Sequence, residues 1–380
     1  MQIEWALAAP AQHPAMNGPL AFDLRTDEST GDAIIEWAEP RIAPLHRGVE
    51  KLFESRDYRQ ALMLADRHDW HSAFGSELGL ALTLEAQLGI TVPPRATWIR
   101  TLLAELNRAI HHLRWLGESV TAFETAQGIH PGPEHRELRE RARLTRDTLI
   151  DTLEAISGGR LHPMVVTPGG LRADAPEGWT ALAEQASVAA ADVADALQAW
   201  ADNSTAGTGI GVLSHDLAST FAVSGPAARA SGLAIDLRFD EPYCGYQELV
   251  DAGTITRVTA TAGDARARMQ VLAAEVAESL AAIAHCAAAA DQYAGEPVSV
   301  RLPKTLRIPE GTGYGWTENP TGINGWYLVS RGAAEPYRLK IRSASFANAQ
   351  ALSHALVGTK VRDLPITVMS FLLVTGDLAK

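Results

Sequence analysis

From Pro44 onward the chain keeps a helical hydrophobic rhythm for roughly 250 residues, a run that only a large and mainly helical body can absorb. Ile99, Leu103, Leu106, Ile110 and Leu113 recur at helical spacing, as do Met269, Leu272, Val276, Leu280 and Ile283. Leu78, Leu80, Leu82 and Leu84 also satisfy a strand period, but the Ala and Glu around them predict helix. Pro93-Pro94, Gly132, Gly158-Gly159 and Gly169-Gly170 punctuate the run. Strand signals are confined to the two ends. Ala21–Leu24 and Ala33–Trp37 flank a turn-rich Asp27–Asp32 and predict a hairpin. Val298–Leu302 and Tyr327–Ile341 read as short strands, followed by helical Ser345–Leu356 and Val361–Leu373. The Gly- and Ser-rich stretch Asn203–Tyr246 reads as irregular. The expected fold is mainly α with small β appendages (α+β). A β-hairpin region over 1–43 would precede a helical body over 44–380, with short strands near 298–341.

With 380 residues, 46% of them apolar, the chain can bury a sizeable core. Its 33 basic and 45 acidic residues give a net charge of −12, which argues against nucleic acid as a partner, because phosphate binding needs clustered Lys and Arg. Cys244 and Cys286 form no CxxC pair. That excludes a disulfide framework, a Cys-ligated zinc site and an iron–sulfur cluster held by this chain alone. Met1–Pro10 carries Glu4 and no basic residue, unlike a signal peptide. Uncharged stretches such as Leu364–Gly376 reach about a dozen residues against the ~20 of a bilayer-spanning helix, so a soluble or membrane-peripheral chain is expected.

Several motifs carry little chemistry by themselves. Gly207-Thr208-Gly209-Ile210-Gly211 has phosphate-loop glycine spacing, but no strand precedes it and no Gly-Lys-Ser/Thr follows, so a tight loop is expected. His111 and His112 are neighbours on a helix, about 100° apart, which argues against one shared metal and for surface or interface positions. His68 and His71, three apart around Asp69, have a spacing that could face one metal. Asp66-Arg67 and Glu105…Arg108 read as structural ion pairs. No nucleophile–base pair can be read from spacing.

Four blocks are more specific. The first runs Pro44-Leu45-His46-Arg47-Gly48-Val49-Glu50-Lys51, then Tyr58–Leu62 and Asp66-Arg67-His68-Asp69. The second is Pro94–Arg100, running into Glu105-Leu106-Asn107-Arg108 and His112-Leu113. The third is Ser224–Gly232 with Asp236-Leu237-Arg238 and Pro242-Tyr243, and the fourth Pro336–Ser343 with Ser345-Phe346. In this order and spacing they resemble the 49 kDa (D) subunit family of NADH–quinone oxidoreductase, respiratory complex I, a family similar in turn to the large subunit of nickel–iron hydrogenases. The resemblance covers nearly the whole chain and implies a hydrogenase-large-subunit-like helical body. It also implies a peripheral position on the cytoplasmic side of the cell membrane, with the counterparts of the B, C and I subunits and of the membrane-embedded H subunit as partners. Electrons from NADH would pass through FMN and iron–sulfur centres of partner subunits to a quinone. The quinone pocket would be shared with the B subunit, which holds the terminal [4Fe–4S] cluster. No cofactor or metal would belong to this chain alone: where hydrogenases carry CxxC, it reads Phe371-Leu372-Leu373-Val374.

The same resemblance exposes departures at the quinone pocket. A family loop ending in His-Gly reads here Gln12-His13-Pro14-Ala15-Met16-Asn17-Gly18, so the pocket His is Asn17. The family Tyr after Arg-x-Asp is Trp70, and an Asp that pairs with the loop His falls on Ala122. Asn and Trp donate hydrogen bonds but do not titrate near neutrality. On the cluster-facing side, Arg47 and His162 match family residues, with Glu50 as an alternative structural partner for Arg47. Two readings stand open. One is a second-copy D subunit that still serves electron transfer to quinone. The other is a non-catalytic or repurposed homologue kept as a scaffold.

Overall fold

The computed structural model describes residues 5–6, 20–27, 33–42 and 45–380. β1 (Trp5–Ala6), β2 (Ala21–Asp27) and β3 (Ile34–Arg41) form an antiparallel sheet in that order. Phe22, Leu24, Ile35 and Ala38 are its buried members, and the alternation within β2 is what puts two of them on one face. The hairpin is tied to the far end of the chain: Ile35 N–H donates to Thr359 O at 2.9 Å, and Gly358 N–H donates to Ile35 O at 2.8 Å.

The body begins with α1 (Val49–Phe53), α2 (Tyr58–Ala65), α3 (Ala73–Leu88), α4 (Pro94–Ala126) and α5 (Pro133–Ser157). A short hairpin of β4 (Val166–Thr167) and β5 (Gly170–Leu171) leads to α6 (Trp179–Asn203). The stretch expected to be irregular carries α7 (His215–Thr220), α8 (Pro226–Arg229) and α9 (Leu237–Asp240), with α10 (Tyr246–Asp251) beginning at its end. Its polar residues act as caps: Ser214 accepts from Leu217 N–H at 3.3 Å, and Asp236 accepts from Arg238 N–H at 3.0 Å. The 207–211 segment is a tight loop, as expected. Its glycines take positive φ, and Gly209 N–H donates to Asp264, the N-cap of the long helix that begins at Ala265.

α11 (Ala265–Asp291) follows, then an antiparallel meander of β6 (Gly311–Asn319), β7 (Gly322–Ser330) and β8 (Arg338–Arg342), and finally α12 (Ala344–Leu356), α13 (Leu364–Ser370) and α14 (Thr375–Leu378). β7 and β8 overlap the two ends of the predicted Tyr327–Ile341 strand region, while β6 was not anticipated. Val298–Leu302 forms no strand; it makes one bridge, Ser299 to Gly170. Val361–Leu373 divides into a 3₁₀ turn at Val361–Asp363 and α13.

α4, α5, α6 and α11 pack as a four-helix bundle, and α3 lies between α4 and the meander. α4 is the central helix, so most of its circumference between Ile99 and Leu116 is buried. α11 is long and apolar enough to cross a membrane by composition, with a mean hydropathy of 1.5, but 61% of that window is buried inside the bundle. Its inward polar side chains, Glu275 and Ser279, are hydrogen-bonded to other core residues. α11 is a core helix.

Candidate functional site

Arg47, Arg67, Trp70, Leu161 and His162 line one cleft of about 340 Å³, built from the segments before α1, after α2 and after α5. Arg47 Nη2–H donates to the carbonyl of Arg67, which pins its guanidinium to the Trp70 segment. The alternative partner, Glu50, is occupied by Arg338 and by the backbone N–H of Ile341. His162 Nδ1 lies 2.9 Å from Asp66 Oδ2, and the other oxygen of Asp66 pairs with Arg67 Nε at 3.2 Å. Two guanidinium groups and an imidazole therefore meet in one small space. Trp70 Nε1 is buried without a hydrogen-bond partner among the described residues, and an orphaned donor of this kind is costly unless an acceptor enters.

The cleft thus unites Arg47, Trp70 and His162, which the sequence could only place far apart. Ala122 does not join them. It lies near the C-terminal end of α4, partly buried against the core, and is not part of the cleft lining. His13 and Asn17 fall outside the described residues.

Behind Trp70 stands an acidic pair that sequence reasoning missed. Asp69 is 2% exposed; its Oδ1 accepts from Ser72 N–H at 3.1 Å and its Oδ2 from Asn319 Nδ2 at 3.4 Å. Burial, and then the neighbouring Asp377 carboxylate, push Asp69 up to about 7. Asp377 also lies 3.5 Å from His68 Nε2, and burial holds His68 below its usual value. The available signal was the Asp69 that precedes Trp70 in the first block. Because Asp69 titrates at about 7 when folded and at 3.8 when exposed, the folded state binds its proton more tightly. Its contribution to stability is therefore full below pH 4 and falls as the pH rises towards 7. Asp69→Asn is expected to stabilise the protein by roughly a few kcal/mol at pH 8, with the gain vanishing towards pH 4 in thermal unfolding. A gain of equal size at both pH values would contradict the acidic pair.

His68 and His71 do not converge on one point. His68 turns to Asp377 and His71 to His111, and the described residues contain no group of three or more His, Cys, Asp or Glu placed for an ion. The expected surface position of His111 and His112 is corrected: they are 2% and 0% exposed, because α4 is covered on nearly every side.

The motif blocks meet in a second, fully buried assembly. Glu105 accepts from Tyr246 Oη at 2.5 Å and from Ser279 Oγ at 2.7 Å, with Arg108 Nε at 3.3 Å. Arg238 forks onto Asp236. Arg229 reaches Glu275 at 2.7 Å and Glu318 at 2.8 Å. Glu105…Arg108 is thus a structural pair, as expected, but one corner of a network rather than an isolated bridge. The first and fourth blocks meet likewise, through Arg338 with Glu50 and Glu54.

The family described as respiratory-chain NADH dehydrogenase, 49 Kd subunit, matches residues 142–306 and 299–380. The NADH-quinone oxidoreductase D subunit numbered 1 in Streptomyces coelicolor is 47% identical over 373 residues, covering 97% of this chain and 93% of that protein. The D subunit numbered 2 in Salinispora tropica is 45% identical over 97% of this chain and 91% of its own length. The D subunit of Bacillus cytotoxicus is 32% identical, covering 96% of this chain and 95% of its own length. The chain belongs to the 49 kDa (D) subunit family of NADH–quinone oxidoreductase.

Proposed function

We propose that the chain works as the D subunit of an NADH–quinone oxidoreductase, at a quinone site centred on the Trp70 cleft. The observation that carries this reading is the meeting of Arg47, Arg67, Trp70 and His162 in one cleft. The residues suit both neighbours that the family implies. The orphaned Trp70 N–H offers a hydrogen bond to a quinone carbonyl oxygen, and Arg47 and His162 offer positive charge to a [4Fe–4S] cluster held by a B-type partner. Such a cluster supplies electrons one at a time, and a cation beside it favours its reduced form. Asn17 would supply a second, non-titrating hydrogen bond. Asp69, pushed up to about 7 and one residue before Trp70, can take up or release a proton near neutral pH behind the indole.

FMN and the remaining iron–sulfur centres belong, on this reading, to partner subunits, with the C, I and membrane-embedded H counterparts as further neighbours. The chain would sit peripherally on the cytoplasmic face of the cell membrane. To test the site, Asn17→His, Trp70→Tyr and Ala122→Asp are introduced together into the assembled complex. The unmodified complex is expected to reduce quinone at a rate the triple change does not raise. A complex that turns over quinone only after the triple change would instead mark this copy as silent.

A further inference from the structure

We propose that His111, His112 and Glu275 form an interior proton store, entered at His111 Nε2 and reached from the Trp70 cleft through His71. The inference rests on reading that cleft as the quinone site. The rings stand in a row: Trp70 to His71 at 6.4 Å between centroids, His71 to His111 at 6.2 Å, and His111 to His112 at 5.2 Å. His111 Nδ1 and His112 Nδ1 are 3.0 Å apart, and His112 Nε2 lies 2.9 Å from Glu275 Oε2.

These contacts fix the hydrogens. Glu275 is also held by Arg229 Nε at 2.7 Å, so it is a carboxylate and can only accept. His112 must then carry its hydrogen on Nε2 and accept at Nδ1. His111 in turn must donate from Nδ1, which leaves its Nε2 as a bare acceptor. That atom is buried and has no hydrogen-bond partner among the described residues. The charged and titratable groups around the row are Arg108 and Arg114 on α4, His71 before α3, Arg229 on α8, Arg238 on α9 and Glu275 on α11. Burial, His112 and His71 hold His111 well below the usual imidazole range, and burial lowers His112 as well, so the resting row is neutral. Burial opposes ionisation of Glu275, but Arg229 and His112 outweigh it and hold the carboxyl well below its usual range.

A proton taken up at His111 Nε2 lets the Nδ1 hydrogen cross 3.0 Å to His112 Nδ1. His111 is left neutral with its hydrogen on Nε2, and His112 becomes an imidazolium against the Glu275 carboxylate. One proton enters, no electron moves and no bond between heavy atoms changes. The reverse shift returns the proton to His111 Nε2, and His71 is the neighbouring ring, 6.2 Å away between centroids. Loaded in this way, the row can supply a proton that the Trp70 indole cannot.

The test is His111→Gln in the assembled complex, assayed for NADH:quinone and NADH:ferricyanide activity between pH 6 and 8. Quinone reduction is expected to fall about tenfold at pH 6, where the row can take up a proton, and by less than about twofold at pH 8, where it is already neutral, while ferricyanide reduction holds throughout. A loss of equal size at both pH values, or no loss, overturns the store. If His111→Gln does not assemble, His71→Gln is measured against the same two outcomes. Trp70→Ala separates the two readings. Sensitivity to Trp70→Ala alone removes the proton store and keeps the cleft, whereas indifference to both removes the cleft as well.

Discussion

Arg229→Leu is expected to lower folding stability by about 3–5 kcal/mol, the range for removing one partner of a buried ion pair. Arg229 is 0% exposed and lies between Glu275 and Glu318, with Asp236 at 3.6 Å. Leucine would leave these carboxylates short of a cation in a dry core, and His112 would rest on a carboxylate that has lost its main partner. Since a domain commonly has only about 5–15 kcal/mol of net stability, much of the folded population would be lost. The measurement is the thermal midpoint, together with the amount of chain recovered in assembled complexes. Arg229→Leu combined with Glu275→Leu should recover part of the loss, because it also removes one of the stranded charges. A single variant within about 1 kcal/mol of the parent would mean that the network is not the keystone of the core.

The second large effect is expected at Gly376, the residue against which the cleft's Trp70 packs. A Cβ there would lie 2.1 Å from Trp70 Cζ3 and 2.5 Å from the carbonyl of His68. Gly376→Ala must move either the indole or the α14 segment, at a cost of about 1–3 kcal/mol for overpacking. Quinone reduction should fall while NADH:ferricyanide activity persists. Trp70→Tyr removes the benzo ring that carries Cζ3, so the double change should be milder than the sum of the single ones. Strict additivity would show that Gly376 and Trp70 do not share this contact.

Long helices were legible because their hydrophobic spacing is dictated by burial: α4 and α11 lie where Ile99…Leu113 and Met269…Ile283 predicted them. β6 was not, because Gly311, Gly313 and Gly315 carry no strand propensity. Gly313 and Gly315 permit close packing instead: a Cβ would meet the Gln87 side chain at 2.5 Å and Thr83 Oγ1 at 2.4 Å, both on α3. His111 and His112 were misplaced because local helix geometry does not say how many neighbours surround a helix. The cleft was half legible. Arg47, Trp70 and His162 came from motif position, and Arg67 and Asp69 stood beside Trp70 in the first block without a role at the site, while Asp377 emerged only once about 300 residues of chain had folded back on Trp70. Much of what makes the motif blocks recognisable, Arg229, Arg238, Glu105 and Arg338 among them, turns out to hold the core and the sheet together rather than to touch the cleft.

The most direct test of the central claim uses membranes in which this chain is the only D subunit, with NADH:quinone and NADH:ferricyanide activities measured on the same sample. The account predicts that quinone reduction proceeds and drops at least about tenfold with Trp70→Ala, while ferricyanide reduction is unchanged. Full ferricyanide activity with quinone reduction at background in the unmodified protein would contradict it.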